Sequence, residues 1–305
     1  MICYNSCDNI NKEPCVIALG NFDGVHRGHV HLLSKAREYA RSNGLGFGIY
    51  TFDVHPKTIG KINDFRLLSS RQQQIRMFEK TGADFVYFED FVSVRDYDKK
   101  VFAEYLKDKF MTEAVFCGEN FRYAKNASGN AKTLFEDMEK LNVQTFEIEL
   151  LKVDGENVSS SRIREKLESG DVEKANELLG YEFSIEGKVL HGNSIGHTLG
   201  FPTVNLRPDS TLVCPKFSVY ASKIHIDGKE YKGVTNIGVK PTVLQTKKEV
   251  LAETNIFGFS DDIYGKHIVV SLCKMLRSDR KFDSFDELKT AVDNDIKNAM
   301  KYFGE

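Results

Sequence analysis

The densest chemistry in the chain lies in Gly20-Asn-Phe-Asp-Gly-Val-His-Arg-Gly-His29, where two imidazoles three residues apart share a run of glycines. At a helix start, positions three apart lie on one face, so His26 and His29 can donate to the same phosphate oxygens. Gly20, Gly24 and Gly28 let backbone approach such a ligand. An apolar run precedes the stretch, and an amphipathic one with Leu32, Leu33, Ala36 and Tyr39 follows it. In an open α/β sheet, ligands bind beyond the carboxyl ends of the strands, where a helix N-terminus offers N–H groups to anions. The expectation is a nucleotide-phosphate site. The plainer alternative, histidines that only cap a helix, suits a lone His better than a His-x-Gly-His between strand and helix. The chain has no Gly-x-x-x-x-Gly-Lys-Ser/Thr, so a P-loop is excluded, and Gly44, Gly46 and Gly48 lead into a strand and read as a turn.

The elements that must hold this stretch follow from apolar periodicity. Between Val16 and Glu149, short strands at Val16–Gly20, Phe47–Phe52, Phe85–Phe88, Ala114–Cys117 and Val143–Ile148 alternate with helical patterns. Alternation of this kind predicts a doubly wound α/β domain with a parallel sheet. Ser69 followed by Gln72 has capping-box spacing ahead of Ile75 and Phe78. Two short helices, Arg162–Ser169 and Val172–Leu179, close this half, with Gly180 as the C-cap. After Tyr181 the period changes to two, with β-branched runs Val219–Ile226, Tyr231–Ile237 and His267–Leu272. Strands without intervening helices predict an antiparallel barrel or sandwich. A last helix starts at Ser284, with Glu287 three residues on, and carries Phe285, Leu288, Val292 and Ile296 as its expected packing face. The division expected is therefore 1–180 and 181–305.

Composition narrows the function classes. With 42 Lys and Arg against 44 Asp and Glu, the chain has no field for wrapping nucleic acid or hugging an anionic membrane. No window reaches the roughly 20 apolar residues of a membrane span, and the first residues lack the charged-then-apolar order of a signal peptide. The expected location is the cytoplasm. Six cysteines stand without a Cys-x-x-Cys pair or a zinc-like His spacing. Ordinary reduced thiols are expected there, with neither zinc nor disulfides.

The motif around His26 resembles the nucleotidyltransferase signature, and its longer form Gly-x-Phe-Asp-Gly-Val-His is similar to the bacterial FAD synthetases. Thr51-Phe-Asp-Val-His-Pro56, Gly118-Glu-Asn-Phe-Arg-Tyr123 and Val158-Ser-Ser-Ser-Arg-Ile-Arg164 look like their further motifs, with Val54, Ala124 and Ser161 at positions that usually hold Pro, Gly and Thr. The second half resembles riboflavin kinases. Its matching runs are Leu199-Gly-Phe-Pro-Thr-Val-Asn205, Gly233-Val-Thr-Asn-Ile-Gly-Val-Lys-Pro-Thr242, Glu253-Thr-Asn-Ile-Phe257 and Leu276-Arg-Ser-Asp-Arg-Lys-Phe282. Ile195, Ser218, Asn255 and Gly258 depart from that pattern.

The resemblance implies a bifunctional enzyme that phosphorylates riboflavin to FMN in its second domain and adenylylates FMN to FAD in its first. It implies that His26 and His29 hold the ATP phosphates, with Gly20, Asn21, Phe22, Asp23 and Gly24 around the nucleotide. Asn120 would contact phosphate or ribose, and Ser160, Ser161 and Arg164 would clamp the phosphate tail. In the second domain, Gly192, Gly196, Gly200 and Pro202 would form a nucleotide-binding flap. The Thr203 hydroxyl and Asn205 carbonyl are hard oxygen ligands suited to Mg²⁺, and Glu253 would be the general base. ATP is then a co-substrate, and no permanently bound organic cofactor is expected. Read without the resemblance, Ser159 to Ser161 is a helix N-cap, Arg164 is a solvated cation, Thr203 and Asn205 lie in a barrel turn, and Glu253 is a solvent-facing strand carboxylate. Two other functions compete: adenylylation of another acceptor, and a flavin-binding regulator whose kinase half no longer turns over.

Overall fold

Residues 1–10, 13–60, 65–190, 203–241 and 248–304 are described by a computed structural model. The chain divides into two units, Met1–Ser160 and Ser161–Glu305. The first contains β1 (Ile2–Asn5), β2 (Cys15–Leu19), α1 (Arg27–Ser42), β3 (Gly46–Phe52), α2 (Arg71–Thr81), β4 (Phe85–Glu89), α3 (Phe91–Val94), α4 (Lys99–Phe110) and β5 (Thr112–Gly118). The hairpin strands β6 (Arg122–Tyr123) and β7 (Gly129–Asn130), α5 (Ala131–Glu139), β8 (Gln144–Ile148), and the hairpin β9 (Lys152–Val153) and β10 (Glu156–Asn157) complete it. One six-stranded sheet runs in the order β1-β4-β3-β2-β5-β8, parallel throughout.

β2 lies at the centre because it is apolar on both sides. Val16 and Ala18 pack with Leu33 and Phe78 of α1 and α2, while Ile17 and Leu19 pack with Leu106 and Leu134 of α4 and α5. A parallel strand covered on both faces needs this kind of unbroken apolar run. Chain order along the sheet reverses at β2, so the crevice between the carboxyl ends of β2 and β5 is the topological switch point.

Two local expectations need correction. The sequence pattern does not announce β1, which joins the sheet edge by pairing with β4. The capping box of α2 is Ser70 with Gln73, one residue beyond the expected pair, because Ser69 is engaged elsewhere.

The second unit begins within α6 (Ser160–Ser169) and continues through α7 (Val172–Leu179), β11 (Ser184–Lys188), β12 (Thr203–Leu206), β13 (Ser218–Ile226), β14 (Lys229–Pro241), β15 (Lys248–Ile256), β16 (His267–Ser278) and α8 (Phe285–Phe303). Its strands form an antiparallel sheet in the order β11-β16-β13-β14-β15-β12. The sheet curls into a barrel: just past β11, Leu190 donates its N–H to the Asn205 carbonyl of β12 at 2.8 Å. Ile224, Ile237, Val270 and Leu272 are wholly buried, and the Thr235 and Thr254 hydroxyls pair at 2.9 Å. The helices α6 and α7 are tied to this barrel. Asn176 donates to the Leu272 carbonyl and accepts from the Phe183 N–H, each at 2.8 Å, and Lys216 N–H reaches the Leu167 carbonyl at 2.9 Å.

The buried face of α8 only partly follows the apolar stripe expected: Ile296 packs against the barrel and Leu288 and Val292 are half-buried. Ala291, Asp295 and Ala299 are its buried residues, whereas Phe285 is 69% exposed. Ala299 meets Val219, Ala221 and Val234 on the outer face of the barrel. Asp295 accepts from Arg277 of β16 at Nε and Nη2, 3.0 and 2.8 Å. A paired, buried carboxylate is invisible to an apolar-periodicity reading.

Candidate functional site

In the first unit, Gly20–His26 connects β2 to α1 along a strained path. Phe22 and Val25 hold φ values of +48° and +34°, conformations that cost about 1–3 kcal/mol each for such residues. They persist because neighbours fix the loop from several sides. Gly24, at φ +78°, donates its N–H to the Ser69 hydroxyl at 3.1 Å. The Asp23 carboxylate accepts from Leu68 N–H at 2.9 Å, and the Asp23 carbonyl accepts from the Ser160 hydroxyl at 3.0 Å. Thr51 donates to the Asn21 carbonyl at 3.2 Å, and the Gln74 amide donates to the carbonyls of Asn21 and Phe22 at 3.2 and 3.1 Å.

At the end of this loop His26 caps α1, its Nδ1 accepting the His29 N–H at 3.3 Å. In its neutral form His26 therefore carries its proton on Nε2. The two rings stack with centroids 3.6 Å apart and planes 16° from parallel. Gly28 leaves room for this stack, since a Cβ there would stand 3.2 Å from the His26 ring, a tight contact. His29 rests edge-on to Phe22, centroids 5.3 Å apart. Burial, then the neighbouring His26, holds the His29 pKa well below 6.5, so the ring is neutral at physiological pH. Its Nδ1 is buried and has no hydrogen-bond partner.

The remaining expected residues fall into two groups. Asn120 is exposed just beyond β5, on the other side of the switch point, with its Oδ1 turned toward Gly118. Phe22 is 1% exposed and packs in the core, so its ring supports His29 from beneath. Ser160 spends its proton on the loop. Ser161, exposed, and Arg164, half-buried, follow on the first turns of α6. Beside the loop lies an open cleft whose walls include Asn21, Asp23, Phe52, His55 and Arg71.

The second site lies on the outer face of the barrel. Thr203 and Asn205 are two apart on β12 and share a face. Asn205 is the direct cross-strand partner of Glu253 on β15, and Thr203 of Asn255. Glu253 in turn faces Asn236 of β14. Thr203 and Glu253 are half-buried. Asn205 is 6% exposed, and its Oδ1 has no donor. Oxygens of this kind suit a hard cation. Gly192, Ile195, Gly196, Gly200 and Pro202 lie outside the described residues. Gly258 occupies a left-handed turn after β15, φ +63°.

A family profile for FAD synthetase matches residues 8–162, and one for riboflavin kinase matches residues 179–303. The bifunctional riboflavin kinase/FMN adenylyltransferase of Bacillus subtilis is 34% identical, with the match covering 96% of this chain and 93% of that one. The chain belongs to this family. The Haemophilus influenzae member is 33% identical across 97% of both chains. Of solved structures, a Streptococcus pneumoniae protein described as a macrolide-efflux protein superposes with a TM-score of 0.89 at 26% identity, covering 98% of this chain and 99% of that one. No helix among the described residues is long and apolar enough to cross a membrane.

Family membership decides between the competing acceptors in favour of FMN, with ATP as co-substrate of both family domains. Sequence reasoning assigned no site role to Thr51, Ser69 and Gln74, which hold the loop backbone, or to Glu89. The Glu89 carboxylate ends β4, accepts hydrogen bonds from the Tyr50 and Tyr105 hydroxyls, and accepts Asp90 N–H at 3.1 Å. Burial pushes its pKa up. Its own carbonyl holds the Asp53 N–H at 3.0 Å and so anchors the second motif. The one visible signal was a Glu ending the apolar run Phe85–Phe88. All six cysteines are free thiols, and burial pushes Cys15, Cys117 and Cys273 to about 12, which leaves them inert.

Proposed function

We propose that this chain carries out its family's two transfers with the side chains named above. The observation that supports it is the same in both halves: a buried polar atom without a partner in the fold, His29 Nδ1 in one and Asn205 Oδ1 in the other. Such atoms carry a desolvation penalty unless a ligand satisfies them.

In adenylyl transfer, an FMN phosphate oxygen attacks the α-phosphorus of ATP. The new P–O bond forms as the bond to the departing pyrophosphate breaks, and no protein nucleophile takes part. Catalysis is then positioning and charge stabilisation. His26 Nε2 and His29 Nδ1 donate to phosphate oxygens at the α1 N-terminus, whose dipole favours the same charge. Being neutral, His29 holds its buried Nδ1 without the penalty of an unpaired cation. Asn120 completes the phosphate contacts, and the cleft beside Asn21 receives the flavin against Phe52 and His55.

In the kinase reaction, Glu253 accepts the proton of the terminal ribityl hydroxyl as that oxygen bonds to the γ-phosphorus, and ADP leaves. Thr203 and Asn205 would hold Mg²⁺ together with ATP phosphates, and the ion when bound neutralises phosphate charge. The reading includes a cytoplasmic location, supported by ATP as the donor and by exposed free thiols at Cys3 and Cys7.

The test is to incubate the purified protein with riboflavin, ATP and Mg²⁺ and to separate the flavins. FMN followed by FAD is expected. Tight riboflavin binding without ATP consumption would instead indicate a flavin-binding regulator.

A further inference from the structure

We propose that Asn236 is a specificity-determining residue of the kinase site, its amide oxygen accepting the hydroxyl next to the one that is phosphorylated. The inference rests on the reading of Glu253 as base and of Asn205 as facing the phosphates. Its starting point is a row of side chains across three neighbouring strands. Asn205, Glu253 and Asn236 are consecutive cross-strand partners, so all three project from one face of the sheet. Glu253 stands in the middle, about 4.8 Å in backbone spacing from each neighbour. Like Asn205, Asn236 has a buried Oδ1 with no donor.

The surroundings of the two asparagines differ, and the difference gives the row a direction. At the Asn205 end, Thr203 adds a second hard oxygen on the same strand face. At the Asn236 end, the next residue in the row is Val219, packed against Ala299 of α8. Gly238 keeps the space beside Asn236 open: a Cβ there would lie 3.7 Å from Asn236 Nδ2 and 3.3 Å from the Asp279 carboxylate. The row therefore runs from hard oxygens, through a carboxylate, to a neutral acceptor bordered by an apolar wall. Riboflavin has a matching order, with a terminal hydroxyl that receives phosphate, further hydroxyls, and then an apolar ring system. With the terminal oxygen over Glu253 and phosphates on the Asn205 side, the polyol must leave on the Asn236 side. The first hydroxyl it presents there is the adjacent one, which donates to Asn236 Oδ1 as the terminal one donates to Glu253.

The experiment compares full-length wild type, Asn236→Leu and Asn236→Ala on riboflavin and on an analogue lacking the hydroxyl next to the terminal one. With riboflavin, both variants should lose roughly 10- to 100-fold in kcat/KM, the range for stranding one buried hydrogen-bonding partner. With the analogue, wild type and variants should agree within about twofold, because the contact is already absent. The Mg²⁺ requirement should stay unchanged, and wild-type-like turnover of the analogue serves as the fold control. Equal losses on both substrates, a raised Mg²⁺ requirement, or full activity on riboflavin would each overturn the proposal. Glu253→Gln is assayed in parallel. Full kinase activity there overturns the underlying base reading, whereas loss at Glu253 with no change at Asn236 overturns this inference alone.

Discussion

The two sites place their chemistry by different means. At the first, a seven-residue loop held at strained angles is fixed by side chains from β3, from around the start of α2 and from Ser160. At the second, the groups stand on strands, and register alone sets Thr203, Asn205, Glu253 and Asn236 on one face. A loop site depends on many distant tethers, while a register site depends on the few residues that the strands bring side by side. Damage to the first should therefore come from a wide set of substitutions and damage to the second from a narrow one.

The largest separation should come from Glu253→Gln, which keeps shape and removes the base. Riboflavin phosphorylation should fall by roughly 10²–10⁴, while FAD formation from supplied FMN is unaffected. His29→Ala is the mirror experiment. FAD formation should fall by about 10²–10³ or more, the scale of losing one transition-state donor, with FMN formation intact. The same imidazole links to stability. Because its folded pKa lies well below 6.5, the unfolded chain binds its proton more readily. Stability is therefore present above pH 6.5 and is lost as pH falls below it. Chemical denaturation across that window should show a shallower pH slope in His29→Phe, and an unchanged slope would contradict a buried neutral ring.

Next in size is the division between the halves. The functional boundary is proposed near Tyr181, yet Val172, Ala175, Leu178 and Leu179 of α7 are buried, and α7 is bonded to β16. A fragment of residues 161–305 should phosphorylate riboflavin and make no FAD. The fragment 181–305 should do the same with a lower unfolding midpoint, and equal midpoints would show that α6 and α7 do not stabilise the barrel. For Asn205→Ala, the Mg²⁺ needed for half-maximal kinase activity should rise about tenfold; an unaltered requirement would remove Asn205 from the metal site. The smallest effect expected is Ala124→Gly. Ala124 has φ +62° and ψ 175°, a region that suits glycine, so the change should stabilise by about 1 kcal/mol in denaturant titrations.

What was legible beforehand were local patterns. β2 announced itself by an apolar run, the barrel by its change of period, and His26 and His29 by spacing between strand and helix. What was not legible depends on partners distant in sequence. β1 is four residues whose meaning comes only from pairing with Phe85 to Phe88. Ser69 and Ser70 both stand three residues before a Gln, and only the bond from Gly24 to Ser69 decides which one caps α2. The face of α8 turned on the Arg277–Asp295 pair. Asn236 gained meaning only once register set it opposite Glu253.

The central claim is that two independent sites act in sequence, and a single flavin-conversion assay tests it most directly. His29→Ala and Glu253→Gln, each supplied in turn with riboflavin or FMN, ATP and Mg²⁺, are followed by separation of the flavins. The prediction is that His29→Ala accumulates FMN from riboflavin and makes little FAD from either flavin, whereas Glu253→Gln leaves riboflavin largely unconverted and still turns FMN into FAD. If either folded variant loses both conversions together, the two sites are not independent and the account is contradicted.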